Sequence, residues 1–167
     1  ATTGMHNNMA IGKSSFGNAN HADFDRNMAI GDYAGDGAGA YAHVDNIYIG
    51  MDSGGGTHSA IASRNIAIGR NAFSGSNAGA GANVAIGYAA LSGSMTSTAD
   101  NNVAIGQNAG ENVTSAAESV FVGADSGDEI TSGTKNTAIG ANALSTATIA
   151  LYNTGVGFNA MSDVKTG

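Results

Sequence analysis

The chain has 167 residues, a net charge of −7, 11% charged residues, 26 Gly, and no Cys, Pro or Trp. No disulfide or thiolate metal site is possible, and six scattered Lys and Arg do not suit a nucleic-acid backbone, whose phosphates need many such partners. No apolar run approaches the roughly 18 residues of a membrane span, so no membrane insertion is expected in this stretch.

The predicted elements are nine short strands, each running into a glycine. In chain order these are Gly12, Gly31, Gly50, Gly69, Gly87, Gly106, Gly123, Gly140 and Gly157, spaced 17 to 19 residues apart. A fixed period in this range marks a solenoid, in which each repeat buries its apolar face only against its neighbours. The whole chain, 1–167, reads as one repeat array. Neither end resembles a polar cap, so a segment of a longer fibre chain, or a processed product, is expected.

Positions are numbered from the anchor glycine. Position −1 is Ile11, Ile30, Ile49, Ile68, Ile86, Ile105, Val122, Ile139 and Val156, and position −3 runs from Met9 and Met28 through Ile and Val to Thr137 and Thr154. Residues two apart share a face of a strand, and β-branched residues suit a half-buried pleat. Positions −3 and −1 are therefore expected to form the core of the coil. Position −2 is Ala in six repeats, with Tyr48, Phe121 and Gly155 as exceptions. It is expected to point outward and to pack closely on other copies of the chain. The drift at −3, together with shortening repeats, predicts a coil that narrows toward the C-terminus.

Position −4 is Asn8, Asn27, Asn46, Asn65, Asn83, Asn102, Asn136 and Asn153, with Ser119 once. Stacked Asn amides in register form hydrogen-bonded ladders, and Asn tolerates left-handed corners. The anchor glycine is expected at positive φ or at a close backbone approach. Position +3 is always Ala or Ser, as a tight corner requires. Position +4 is Phe16, Phe73, Leu91, Leu144 or Met161 in five repeats and Gly in four, and a weaker second strand is expected near +7. Apolar clusters this short, each ended by Gly, do not fit an amphipathic helix. The polar residues at +5 break the six-residue period of a hexapeptide coil.

Two or three large apolar side chains per repeat are little to bury for the 17–19 residues that must be ordered. Burial against identical copies in closed cyclic symmetry is expected to add the missing area.

The units Asn83-Val-Ala-Ile-Gly87, Asn102-Val-Ala-Ile-Gly106 and Asn136-Thr-Ala-Ile-Gly140-Ala-Asn-Ala-Leu144 resemble the head repeats of trimeric autotransporter adhesins. They are still more similar to the Asn-Thr-Ala-Ile-Gly-x-x-Ala-Leu repeats of bacteriophage tail fibres. The resemblance covers residues 8–161. It implies a trimeric parallel β-roll about a fibre axis, left-handed in the adhesins, although the repeat here is longer than theirs. It further implies a virion or cell-surface location, with a cell-surface glycan or protein receptor as partner. Neither a chaperone domain nor a membrane anchor occurs in this stretch to separate phage from bacterial origin.

The expected fold is thus an all-β parallel solenoid of nine repeats, forming an intertwined or side-by-side homotrimer. A stiff, adhesive, non-enzymatic fibre segment is the leading reading, a bacterial adhesin head the alternative, and a polysaccharide-degrading tailspike a third. His6, His21, His43 and His58 fall at unrelated phases and are expected in exposed loops, with no metal. Asp23 with Asp25, and Asp128 with Glu129, are the only carboxylate pairs of note and are read as solvated. No cofactor is expected. Tyr33, Tyr41, Tyr88 and Phe24 are the candidate surface-binding residues, against a plainer role of covering neighbouring repeats.

Overall fold

The computed structural model describes residues 5–164. Among these the chain is all-β, with one short 3-10 turn at Asp36–Ala38. Its strands are β1 (Met9–Ile11), β2 (Met28–Ile30), β3 (Ile47–Ile49), β4 (Ile66–Ile68), β5 (Val84–Ile86), β6 (Val103–Ile105), β7 (Val120–Val122), β8 (Ser132–Thr134), β9 (Thr137–Ile139), β10 (Ile149–Leu151) and β11 (Thr154–Val156). Nine of them stack as one parallel sheet in the order β1-β2-β3-β4-β5-β6-β7-β9-β11. Every pairing is in phase, so Met28 lies on Ile47, Ala29 on Tyr48 and Ile30 on Ile49. The chain is a parallel β-solenoid.

Two columns hold that register. The anchor glycines have φ between 126° and 140°. A Cβ on Gly31 would also stand 2.6 Å from the carbonyl oxygen of Gly50 in the next turn. Both reasons for glycine therefore operate at once. The second column is position −4. The Oδ1 of each Asn from Asn8 to Asn136 accepts the main-chain N–H of the equivalent residue one turn on, at 2.9 Å from Asn65 to Asn46 and 2.9 Å from Asn102 to Asn83. Its Nδ2 donates to the carbonyl at position −7 of the next repeat, as in Asn46 to Ala62 at 2.9 Å and Asn136 to Ala150 at 2.7 Å. Amide-to-amide bonds occur as well, from Asn27 to Asn8 and from Asn102 to Asn83. Ser119 keeps the ladder continuous by accepting the N–H of Asn136 through its Oγ at 3.1 Å. The left-handed corner is not at the Asn but one residue earlier, at Arg26, Asp45 and Arg64 among others.

The faces of the sheet are the reverse of the sequence expectation. Position −2 lines the interior: Ala29, Ala67, Ala85, Ala104 and Ala138 are fully buried, as are Tyr48 and Phe121. Position −1 points away from the coil. Ile11, Ile68, Ile105, Ile139 and Val156 are exposed, and Ile30, Ile49, Ile86 and Val122 are half-buried. The physical reason is width. The opposite wall brings small residues of its own to the centre, with Ala34, Ala72 and Ala109 at +3 and Ala62, Ala80 and Ala99 at −7, all buried. A coil this thin accepts Ala where a row of Ile would force the walls apart. The drift from Met to Thr at position −3 therefore lies on the outer surface and does not narrow the interior.

The larger inward side chains compensate for one another. Where +4 is Phe73, Leu91 or Leu144, it is buried inside the coil opposite an Ala at −2. Where +4 is Gly, an aromatic fills the space from −2. The Tyr48 ring occupies the room left by Gly54 and shares with Phe16 that left by Gly35, and the Phe121 ring occupies that left by Gly110 and Gly127. A Cβ at any of these four glycines would come within 2.9 Å of the ring. Position +7 adds Val113 and Ile130 to the core and forms no strand. The second, two-stranded sheet, β8 with β10, lies farther on, at +9 to +11. A column of threonines ties the same wall, each Oγ1 donating to the carbonyl one turn on: Thr96 to Thr114, Thr114 to Thr131 and Thr131 to Thr148.

Ala85→Arg places a charge in the closed interior and should cost about 4 kcal/mol or more, abolishing the cooperative melt followed by circular dichroism. Ile86→Arg, one residue on, should leave the β signal in place. The Tyr48 hydroxyl is buried without a hydrogen-bond partner. Tyr48→Phe should therefore raise stability by about 1–3 kcal/mol, read as a higher melting temperature.

Candidate functional site: the outward face of the sheet

The outward face has a fixed order of columns. Positions −3 and −1 form its centre, which is apolar and uncharged through every turn except for the hydroxyls of Thr137 and Thr154. Position −5 flanks it on one side at the left-handed corner, and position +1 on the other, just past the glycine. Both flanks are largely exposed and carry most of the face's polar and charged groups. Nine strands at about 4.8 Å and roughly 20 Å across four columns give a face of about 850 Å². A monomer seldom leaves an apolar stripe this long in water, and a hydrophobic centre with a polar rim is the anatomy of an interface.

On the −5 flank the charges are arranged in ladders. The guanidinium of Arg26 meets Asp45 of the next turn at 2.7 Å and Asp25 at 2.7 Å. The hydrogen bond from Arg26 holds the Asp45 carboxyl below its usual range, and Arg64 adds to the effect. Lys135 lies 3.9 Å from Glu118. Such exposed pairs contribute little to stability, but they set which charges the rim presents.

The aromatic candidates separate. Tyr88, at +1, is exposed on the rim of the face, and Tyr33 is exposed with the Lys13 ammonium 5.3 Å from its ring centre. Tyr41 is half-buried, 6.3 Å from His43 between ring centres. Phe24 is not a surface residue. It is buried, edge-on to Phe16 at 4.8 Å, and the structure assigns it to the core.

Two of the histidines are also internal, contrary to the sequence reading. His43 and His58 are buried with ring centres 4.8 Å apart. His43 Nδ1 lies 2.9 Å from the main-chain nitrogen of Ala62 and 2.8 Å from its carbonyl oxygen, and Nε2 lies 2.9 Å from the carbonyl oxygen of Ala38. Burial lowers the pKa of both. For His58 the value falls to about 4, with the neighbouring His43 adding to the effect. Phe24 and His43 both sit at position −7, whose other occupants are mostly Ala. Reading that column from the sequence would have placed both indoors.

The carboxylates regroup as well. Asp25 is taken up by Arg26, and Asp23 is exposed. Asp36 and Asp52, which the sequence did not pair, face a recess of about 450 Å³ shared with Asn18, Thr57 and His58. Burial raises the Asp36 pKa, and Asp52 raises it further. Burial, then Glu129 and Asp125, push Asp128 up to about 6. Among the described residues, no group of three or more His, Asp or Glu is placed to hold a metal ion, and no helix is long and apolar enough to cross a membrane.

Compared with known proteins, the chain matches no family model, no curated protein and no solved structure.

The two buried histidines give a signed pH dependence. Their folded pKa values lie below the ordinary value near 6.5, so the unfolded chain takes up more protons as pH falls. The stability they confer is complete above about 6.5 and should be lost as pH falls toward 4. Asp128 acts in the opposite sense over the same window, because its folded pKa is raised and the folded chain is the better proton acceptor. Melting temperatures between pH 7 and 4.5 should therefore fall less steeply in His43→Gln/His58→Gln, and more steeply in Asp128→Asn, than in the parent chain.

Proposed function

We propose that the chain is a structural and adhesive fibre segment. In this reading three copies stand side by side with their outward sheet faces turned to a common axis. The assembly is a stiff, non-catalytic spacer of a phage tail fibre.

One observation carries this reading: the apolar double column at −3 and −1, unbroken by charge along nine stacked strands. Copies of the same chain are its natural cover. They present the same repeat at the same spacing, so every turn meets an identical turn, and closed rotational symmetry leaves no face unpaired. At about 850 Å² per chain, shared between two neighbours, each pair of chains buries about 850 Å² in total and the closed trimer about 2,500 Å², so the three contacts together reach the size of a stable interface. The likeness of the Asn-x-Ala-Ile-Gly units to tail-fibre and adhesin repeats points the same way. The β-branched row predicted for the coil interior thus becomes the interior of the assembly, and the Ala row the interior of each coil.

The nine strands span about 43 Å at ~4.8 Å per turn, a length suited to spacing. Adhesive contact with a glycan or protein receptor falls to exposed groups away from the apolar columns, of which Tyr33 is the best placed. A bacterial surface adhesin head would use the same assembly in a different setting.

Light scattering on the purified chain should give three times 16.4 kDa. Ile68→Lys/Ile105→Lys should reduce the mass to that of one chain while the β circular dichroism persists. A monomeric parent chain, or a double variant that still assembles, would refute the proposal.

A further inference from the structure

The two rims of the outward face differ from each other, and their residues match in six of the nine turns. In turn 2, position −5 is Arg26 and position +1 is Asp32. In turn 5 a small Ala82 stands at −5 and a bulky Tyr88 at +1. In turns 7 and 8 the sizes are reversed, with the long Glu118 and Lys135 at −5 and Ala124 and Ala141 at +1. Turn 6 has two amides, Asn101 and Gln107. Turn 9 has two aromatics, Tyr152 and Phe158, exposed by 70% and 75%.

These partners do not meet within one chain. Six residues of extended backbone separate them by about 20 Å. They meet between chains if the copies are related by rotation about an axis parallel to the stack. The strands then circulate in one sense, and the −5 rim of each copy abuts the +1 rim of the next at the same height. Opposite charges, small against large, amide against amide and aromatic against aromatic then come together. Three turns do not match in this way: Asn7 faces Lys13 in turn 1, Asp45 faces Met51 in turn 3 and Arg64 faces Arg70 in turn 4. An antiparallel pairing of the same faces does worse. It sets turn 2 on turn 8 and turn 3 on turn 7, opposing Arg26 to Lys135 and Asp45 to Glu118, each a like-charged pair.

We infer that the copies join rim to rim, parallel and in register, with position −5 of one chain against position +1 of its neighbour in the same turn. This rests on the assembly proposed above and adds its partner residues, polarity and register. The rim pairs act as the register device, because the apolar columns at −3 and −1 are nearly uniform and would tolerate a slip of one turn. A slip would improve turns 3 and 4, bringing Asp45 to Arg70 and Arg64 to Tyr88, but it would break the matched pairs of the other turns, setting Arg26 against Met51 and Lys135 against Phe158, and leave the aromatic Tyr152 without its partner.

The chain has no cysteine, so engineered disulfides report contacts without background. The test uses Asn101→Cys/Gln107→Cys, both exposed and in the same turn. Mild oxidation should convert most of the protein to a covalent species of three chains on a non-reducing denaturing gel. Either single variant should stay at one chain. The offset pair Tyr88→Cys/Asn101→Cys, one turn out of register, should cross-link at least tenfold more slowly. If light scattering shows an assembly but Ala82→Cys alone links into two-chain species, the chains are antiparallel and the inference falls while the assembly stands. If the offset pair links faster than the in-register pair, the register is wrong. If light scattering shows single chains throughout, both the assembly and the rim pairing are refuted.

Discussion

Each Asn at position −4, from Asn8 to Asn136, connects three stretches of backbone with one side chain. It belongs to its own turn, accepts the main-chain N–H of the turn that follows, and donates to the carbonyl at position −7 on the far side of the corner. A buried amide left unpaired costs about 1–3 kcal/mol. The ladder therefore favours one phase strongly: a slip of a single residue would strand an Asn at every affected turn and offer an aliphatic side chain in its place. Because the restraint acts between positions −7 and +4, the remainder of the repeat is free to vary. That is how turns of 17, 18 and 19 residues stack on one sheet without a break. Ser119, whose Oγ maintains the ladder, lies in the first of the 17-residue turns.

The period, the glycine column, the Asn column and the parallel stack were all legible in the sequence. Each is a backbone requirement that only one or two residue types satisfy. The faces of the sheet were not legible, for a related reason. Both faces are apolar, and hydropathy does not separate an Ala row from an Ile row. Only the size of the interior does, and that depends on what the opposite wall brings to it. The pairing of Tyr48 with Gly35 and Gly54 shows what was available. An aromatic at −2 coincides with glycine at +4 in its own turn and the one before, and the same holds for Phe121. Read as one volume shared between two positions, those exceptions already place −2 indoors. Phe24 and His43 belong to the −7 column, whose other members are mostly Ala, and it is that smallness, not hydropathy, that marks the column as inward.

The reversed faces change how the chain relates to its surroundings. Small side chains close the coil upon itself, and the larger β-branched ones stay on its outer surface. In the proposed assembly, each coil is held by backbone ladders and buried amides, and lateral association by the bulk of the hydrophobic area. The two tasks use different residues on opposite sides of the same three-residue strand. The change from Met and Ile to Thr along position −3 makes the lateral surface more polar toward the C-terminus, while the interior keeps its Ala lining.

The direction of the hydrogen bonds has a mechanical consequence. In a stack of parallel turns, the bonds between turns run along the length of the rod. Tension applied at its two ends loads them in series, one interface at a time, and not as a set sheared together. Extension would proceed in steps, each turn that opens releasing about 18 residues of slack, or roughly 60 Å of chain. Compression and sideways bending instead press the stacked glycine carbonyls together and meet the full height of the sheet. Such a rod is stiff when pushed and pays out chain when pulled.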